Sequence, residues 1–150
     1  MKAIGYIRVS TQEQAQSGLG LEAQAVAIRA EATRRGWDLE IIADEGESGS
    51  KVDRPGLLAA KDKLARGEVQ ALIVAKQDRL MRSSLGWAQI VSQSKDQKWS
   101  LICLDINLDT ASPMGECMGS ILAAIAQLEL ENIRKRTKDA LAVKKSQGYR

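Results

Sequence analysis

Histidine is absent from the 150 residues, and this absence limits the chemistry that the chain can perform. Histidine is the commonest general base and metal ligand near neutral pH, so a Ser-His-Asp triad is excluded. Any proton transfer must then use carboxylates, arginines or water. Because neither cysteine clusters nor a cage of carboxylates is evident, we expect a reaction that needs no metal and no other cofactor.

Cysteines and long hydrophobic runs are also scarce. The two cysteines, Cys103 and Cys117, do not form a CxxC pair, which argues against a disulfide or zinc framework. Cys103 lies in an apolar run and is expected in the core. No stretch approaches the roughly 18 apolar residues that a membrane span needs. The first residues have the pattern of a strand rather than of a signal peptide, so we expect a cytoplasmic protein with no membrane partner.

Short apolar runs alternate with helical patterns, which indicates an α/β fold with a mostly parallel sheet flanked by helices. The predicted sheet has four or five strands and belongs to a catalytic core that spans residues 1–110. The predicted strands cover residues 3–9, 39–43, 71–75 and 100–104, and the predicted helices cover residues 21–35, 55–65 and 85–97.

One long helix is predicted after this core, in the segment 111–148, where it begins at Pro113 with Ser112 as its N-cap. A helix of this length spans roughly 50 Å, and a small domain cannot bury all of the apolar stripe in its first half. We infer that the stripe packs against another copy of the chain; a helix packed wholly against its own domain is the alternative. The stripe comprises Met118, Ile121, Leu122, Ile125, Leu128 and Ile133.

Basic residues are concentrated at the end of the chain, although the net charge is only +3. Between residues 134 and 150 there are seven basic residues and a single acid, Asp139. A basic helix end is suited to a polyanion such as double-stranded DNA, and a solvated helix end is the alternative. The candidate DNA-binding residues are Arg134, Lys135, Arg136, Lys138, Lys144 and Lys145.

A serine follows the first predicted strand. Side chains two residues apart in a strand point the same way, so Tyr6, Arg8 and Ser10 share one face. Ser10 falls at the carboxyl end of this strand, where open parallel sheets carry their active sites. Taken alone, Ser10 could equally be a helix cap or a turn residue.

Further arginines follow other strands of the same sheet. Asp78, Arg79 and Arg82 come directly after the third strand, and Arg54 stands at the entry of the second helix. The carboxyl ends of parallel strands share one edge of the sheet. We therefore expect these arginines, together with Arg8 of the first strand, to surround Ser10. Guanidinium groups bind phosphate oxygens bidentately, which suits phosphoryl transfer. Each arginine taken singly could instead make a surface salt bridge.

Seven segments carry motifs of one known family, in order along nearly the whole chain. They are Gly5–Thr11, Leu21–Gln24, Asp44–Gly49, Asp53–Leu57, Val74–Arg82, Ala126–Glu129 and Ile133–Thr137. In these segments the chain resembles the catalytic domain of the serine site-specific recombinases, the resolvase/invertase family. The long, glycine-containing loop between Ser10 and Gln24 is more similar to that of the large serine integrases.

The resemblance implies that Ser10 attacks a DNA phosphodiester and becomes linked to the 5′-phosphate, which frees a 3′-hydroxyl. Strand exchange and religation would follow in a tetramer assembled from dimers, without metal or ATP. A DNA-binding domain is expected beyond residue 150. The alternatives are a non-catalytic DNA-binding or regulatory α/β module and a small-molecule phosphotransferase.

The resemblance also implies a role for each matching site residue. It implies that the arginines bind phosphate and that Asp78 and Gln24 organise the site. A supporting role is implied for Tyr6, Asp44 and Glu129. In full, the implied site comprises Ser10, Arg8, Arg54, Asp78, Arg79, Arg82, Gln24, Tyr6, Asp44 and Glu129.

Overall fold

A computed structural model of the chain describes residues 1–9, 19–45, 54–81 and 83–146. Ser10 and Arg82 of the implied site lie outside these residues. The strands, numbered in chain order, are β1 (Lys2–Val9), β2 (Asp38–Glu45), β3 (Ala71–Val74), β4 (Ser100–Cys103) and β5 (Leu108–Asp109). The helices are α1 (Leu19–Arg35), α2 (Pro55–Ala65), α3 (Gln77–Leu80), α4 (Ser84–Gln97) and α5 (Pro113–Ser146).

The described strands form one sheet in the order β2-β1-β3-β4-β5. Strands β1 to β4 pair in parallel, and β5 pairs antiparallel with β4 through Ile102↔Asp109 and Cys103↔Leu108. The predicted α/β fold with a mostly parallel sheet is therefore confirmed, with five strands. This order places the carboxyl ends of β2, β1 and β3 side by side, next to the segments that carry the candidate site residues.

Helices cover both faces of the sheet, and β1 is consequently buried from Ala3 to Val9. Its alternate residues face opposite sides. Ile7 packs with α1 on one face, whereas Ile4 and Tyr6 pack with α2 and α4 on the other. Strands that are covered on both faces have nearly continuous apolar sequences, which is why the apolar runs indicated a parallel sheet.

Within the described residues, the predicted element boundaries differ from the observed ones by at most two residues, and strand pairing explains the differences at β2 and β3. β2 runs to Glu45 rather than to residue 43, because it pairs with β1 as far as Val9↔Glu45. β3 ends at Val74 rather than at residue 75, because its pairing with β4 ends at Val74↔Cys103. No residue range was predicted for two elements, the two-residue strand β5 and the one-turn helix α3.

The long helix begins as predicted, with Ser112 as its N-cap. The Ser112 hydroxyl accepts a hydrogen bond from the Gly115 N–H at 2.9 Å. Gly115 lies in the first turn, where a glycine weakens a helix, but its position requires one. A Cβ atom there would lie 1.6 Å from the Asp109 carbonyl oxygen. Gly115 therefore allows the first turn of α5 to pack directly against the backbone of β5.

The apolar stripe of α5 has a buried and an exposed part. Met118 packs against the core. Ile121, Ile125 and Leu128 are 55 %, 47 % and 58 % exposed, and Ile133 is exposed as well. The prediction that the domain cannot bury the whole stripe is confirmed. The alternative, a helix packed wholly against its own domain, is wrong for these residues.

Both cysteines carry free thiols, and Cys103 is buried in the core as predicted, whereas Cys117 is exposed. Burial, together with a hydrogen bond to Asp105, raises the pKa of the Cys103 thiol far above its usual value. Among the described helices, none combines the length and the apolar character needed to cross a membrane.

Candidate active site

The candidate site lies at the carboxyl edge of β2, β1 and β3. β1 contributes Tyr6 and Arg8 near its end, the segment after β2 leads to Arg54, and α3 after β3 carries Asp78 and Arg79. Tyr6 and Arg8 are two residues apart in β1, and both make contacts on the face of the sheet that α2 covers. The structure thus brings together three chain segments that are far apart in sequence.

Arg8 is buried, and its guanidinium binds the backbone of α3. Its Nη2 donates to the Asp78 carbonyl oxygen at 3.0 Å, and its Nε donates to the Arg79 carbonyl oxygen at 3.3 Å. A buried guanidinium must keep its donors bonded, and carbonyl oxygens at a helix end carry the partial negative charge that suits it. Arg8 therefore ties the end of β1 to the turn after β3.

Arg54 is equally buried and reaches the same turn from α2. It is the N-cap residue of α2, and its Nη1 donates to the Arg79 carbonyl oxygen at 3.0 Å. Its Nη2 donates to the Leu80 carbonyl oxygen, and its guanidinium lies 5.4 Å from the centre of the Tyr6 ring. The alternative of surface salt bridges is therefore wrong for Arg8 and Arg54, which converge on consecutive carbonyl groups of α3.

Asp44 connects β1, β2 and the start of α2. The Tyr6 hydroxyl donates to Asp44 Oδ2 at 2.7 Å, and the N–H groups of Gly56 and Leu57 donate to the two carboxylate oxygens at 2.7 Å and 3.0 Å. The carboxylate thus accepts from the first turn of α2, although it belongs to another element. A Cβ atom on Gly56 would lie 2.8 Å from Asp44 Oδ1, so this close approach requires glycine.

Tyr6 is held in its neutral form. Burial raises the pKa of its hydroxyl far above the usual value, and the hydrogen bond to Asp44 raises it further. Arg54 and Arg8 act in the opposite direction but do not reverse the effect. Tyr6 is therefore a hydrogen-bond donor to Asp44 at neutral pH and is unsuited to act there as a base.

Gln24 fixes the backbone of Arg8. Its Oε1 accepts from the Arg8 N–H at 3.1 Å, and its Nε2 donates to the Arg8 carbonyl oxygen at 3.0 Å. The pairing of β1 with β3 ends at Gly5↔Ile73, so the side-chain amide supplies at Arg8 the two bonds that a neighbouring strand would make. The buried amide therefore orders the last residues of β1.

Asp78 and Arg79 occupy the open side of the cluster. The side chain of Asp78 is 54 % exposed and that of Arg79 is 15 % exposed, and Arg79 Nε lies 3.7 Å from Asp78 Oδ1. Asp78 also lines a mostly apolar groove of about 570 Å³ that extends to Met118 of α5. Within this cluster Asp78 is thus exposed to a ligand, whereas Asp44 is buried.

Other predicted residues lie apart from this cluster. Glu129 is exposed on α5 and does not take part in the described contacts that join the arginines to α3. The basic residues predicted to bind DNA, from Arg134 to Lys145, are all exposed on the same helix. Within the described ranges, no group of three or more potential ligand side chains is placed to hold a metal ion.

Sequence reasoning missed one residue that contacts the site. Asp105 follows β4, and both its carboxylate oxygens accept from the Gln77 N–H at the start of α3. The rule that led to the other candidates, a polar residue just after a parallel strand, would have found Asp105 as well.

Comparison with solved structures identifies the class of this fold. The N-terminal catalytic domain of TP901-1 integrase matches with a TM-score of 0.79 and 31 % identity, over 87 % of this chain and 98 % of that domain. A resolvase family site-specific recombinase from Streptococcus pneumoniae matches with a TM-score of 0.78 and 28 % identity, over 97 % and 99 % of the two chains. The fold is that of a serine recombinase catalytic domain.

Sequence comparison gives the family. A DNA-invertase of Escherichia phage P1 is 33 % identical over 97 % of this chain and 71 % of its own length. The Transposon Tn3 resolvase of Escherichia coli is 31 % identical over 100 % of this chain and 75 % of its own length. The family described as Resolvase, N terminal domain, matches residues 3–150. The chain therefore belongs to this family, as its motifs indicated, and is an enzyme of site-specific recombination.

Proposed function

We propose that Ser10 is the nucleophile that cleaves DNA in this recombination and that the clustered arginines bind the scissile phosphate. One observation carries the proposal. The buried guanidiniums of Arg8 and Arg54 converge on the turn that bears Arg79, at the edge where β1 ends, one residue before Ser10. Arg82 follows the same turn and is proposed as a further phosphate ligand.

The proposed reaction is a transesterification. The Ser10 hydroxyl oxygen attacks the phosphorus atom, and the bond from phosphorus to the deoxyribose 3′-oxygen breaks. The serine proton passes to a base at the site, and the departing 3′-oxygen takes up a proton. The products are a 5′-phosphoserine and a free 3′-hydroxyl. Because one phosphodiester replaces another, a 3′-hydroxyl can later attack the phosphoserine and restore Ser10, with no need for ATP.

The chain's own residues supply what this step requires. Charge develops on the phosphate oxygens in the transition state, and positioned guanidinium groups stabilise it. Asp78 is exposed at the site and close to Arg79, which suits it to orient that guanidinium or to take up a proton. Tyr6, Asp44 and Gln24 act by holding the arginines in place.

DNA and further copies of the chain are the proposed partners. The exposed residues Ile121, Ile125 and Leu128 recur along one side of α5 and suit a homodimer, with a tetramer as the active synaptic complex. The exposed basic residues of α5 suit the phosphates of double-stranded DNA. In this proposal residues 1–110 form the catalytic core and residues 111–148 the oligomerisation helix. The cytoplasm is the proposed place of action.

The test is capture of a covalent intermediate. The protein is incubated with supercoiled plasmids that carry random inserts, the reaction is stopped with detergent, and protein-linked DNA is isolated under denaturing conditions. We expect adducts whose DNA has a 3′-end that a polymerase can extend and a 5′-end that phosphatase and kinase cannot label. Sequencing of the captured ends gives the preferred site.

Two variants make this test specific for Ser10. Ser10→Ala should bind DNA but give no adduct. Ser92→Ala, which removes an exposed hydroxyl on α4, should give as much adduct as the wild type. An adduct of undiminished yield in Ser10→Ala, or DNA binding by the wild type with no adduct at all, would overturn the proposal.

A further inference from the structure

The one-turn helix α3 carries both Asp78 and Arg79, yet four residues are too few to be stable as a helix by themselves. Nucleation of a helix fixes several residues in return for a single hydrogen bond, so short helices depend on contacts from outside. The contacts that hold α3 therefore decide where these two side chains lie.

The carbonyl groups of α3 are held by positive charge. As described above, Arg8 donates to the carbonyl oxygens of Asp78 and Arg79, and Arg54 donates to those of Arg79 and Leu80. Cations are favoured at the carbonyl end of a helix, where the partial charge is negative. These contacts fix one end of the turn.

The other end of α3 is held by Asp105. The N-cap residue, Lys76, makes no side-chain cap of its own. Instead the Gln77 N–H donates to Asp105 Oδ1 at 3.2 Å and to Oδ2 at 3.3 Å. The cap for α3 is thus supplied by a residue that follows β4, 28 positions along the chain.

Asp105 is itself held by two other groups. Its N–H donates to the Ala75 carbonyl oxygen at 3.1 Å, so its backbone is joined to the segment that leads into α3. The buried Cys103 thiol donates to Asp105 Oδ1 at 2.9 Å, which orients the carboxylate. Although Asp105 is exposed, these two contacts with the end of β4 and the segment after β3 orient its carboxylate toward Gln77.

We propose that Asp105 is a positioning residue for the active site: by capping α3 it places Asp78 and Arg79. This inference rests on the function proposed above. The carboxylate at the amino end of α3 and the two guanidiniums at its carbonyl groups match the two ends of the helix dipole, and together they hold the turn in one place. Asp105 itself does not touch the DNA.

The first measurement is amide hydrogen exchange, which is detected by NMR in the absence of DNA. In Asp105→Ala the Gln77 amide should exchange roughly 3- to 30-fold faster, the range that loss of a capping side chain gives. The Arg8 amide, which Gln24 protects, should be unchanged. Asp105→Asn keeps an acceptor oxygen and should restore most of the protection, because asparagine caps helices as well as aspartate.

The second measurement is the rate of covalent adduct formation at saturating DNA. Asp105→Ala should lower this rate by roughly 10- to 100-fold with an unchanged Kd for DNA, because small displacements of positioning groups act on the chemical step. Asp105→Asn should recover most of the rate. The matched control is Asp62→Ala, which removes the same charge from an exposed ion pair on α2 and should leave both readouts unchanged.

The two measurements separate the possible failures. Unchanged exchange of the Gln77 amide in Asp105→Ala would overturn the positioning role, whatever the DNA result. Faster exchange with an undiminished rate of adduct formation would also overturn it, because the cap would then be purely structural. Faster exchange in a protein whose wild type forms no adduct would overturn the proposed function, while the contact between Asp105 and α3 would stand.

Discussion

Removal of the Asp44 carboxylate is the sharpest test of how this site is held together. Asp44 is buried and accepts hydrogen bonds from the Tyr6 hydroxyl and from the N–H groups of Gly56 and Leu57. Asp44→Ala leaves all three donors without their acceptor at once. The donors belong to β1 and α2, the two elements that present Arg8 and Arg54.

The magnitude follows from these contacts. A buried donor that loses its acceptor costs about 1–3 kcal/mol. The hydroxyl of Tyr6 and the N–H of Leu57 are buried, whereas the N–H of Gly56 is partly buried. We therefore expect Asp44→Ala to lower the free energy of unfolding by about 3–5 kcal/mol, a large part of the roughly 5–15 kcal/mol typical of a domain.

Urea denaturation followed by circular dichroism measures this effect. Asp62→Ala is the control, because its partner Arg66 is solvent-exposed and the loss should stay below about 1 kcal/mol. Tyr6→Phe should be nearly neutral in the Asp44→Ala background, since the hydroxyl has already lost its acceptor. A loss below about 1 kcal/mol in Asp44→Ala would refute the view that this carboxylate joins the elements of the site.

Three further predictions concern substitutions of single residues. Because the pKa of Tyr6 is raised in the folded state, Tyr6 favours folding at pH values below its unfolded pKa of about 10. The free energy of unfolding of the wild type should therefore fall as the pH rises above that value. Urea titrations at a series of pH values should show a smaller fall in Tyr6→Phe. Gln24→Ala leaves both peptide groups of Arg8 without their buried partner and should cost about 2–4 kcal/mol, with faster exchange of the Arg8 amide; unchanged exchange would contradict the role of Gln24. Ile125→Asp should abolish self-association in sedimentation velocity, whereas Leu58→Asp, equally 47 % exposed on α2, should not; equal effects would argue against an α5 interface.

The fold could be predicted from the sequence where burial leaves a pattern. β3 is apolar at every residue because both of its faces are covered, and such a run is recognisable without a structure. β5 has only two residues, Leu108 and Asp109, and exists because they pair with β4. No periodicity can indicate an element of that length. The same holds for α3, which depends on contacts from three other segments.

The candidate site was predicted in part. The position of Arg8 near a strand end and of Arg54 and Arg79 after neighbouring strands was enough to place them at one edge of the sheet. The sequence could not indicate that Arg8 and Arg54 are buried and bind backbone carbonyl groups. An arginine that binds a phosphate and an arginine that binds a carbonyl group are the same letter in a sequence. Gly56 is comparable, since only the structure shows that the Asp44 carboxylate occupies the space of its missing side chain.

This double use of the arginines affects how any mutation in the site should be interpreted. Arg8→Ala would remove a proposed phosphate ligand and, at the same time, an anchor of the turn that carries Asp78 and Arg79. A loss of activity in that variant would not distinguish the two effects. Asp105 holds the same turn from its other end and is not a proposed phosphate ligand, so its removal disturbs the placement of the turn alone. The difference between the two variants in rate of adduct formation therefore separates phosphate binding from positioning.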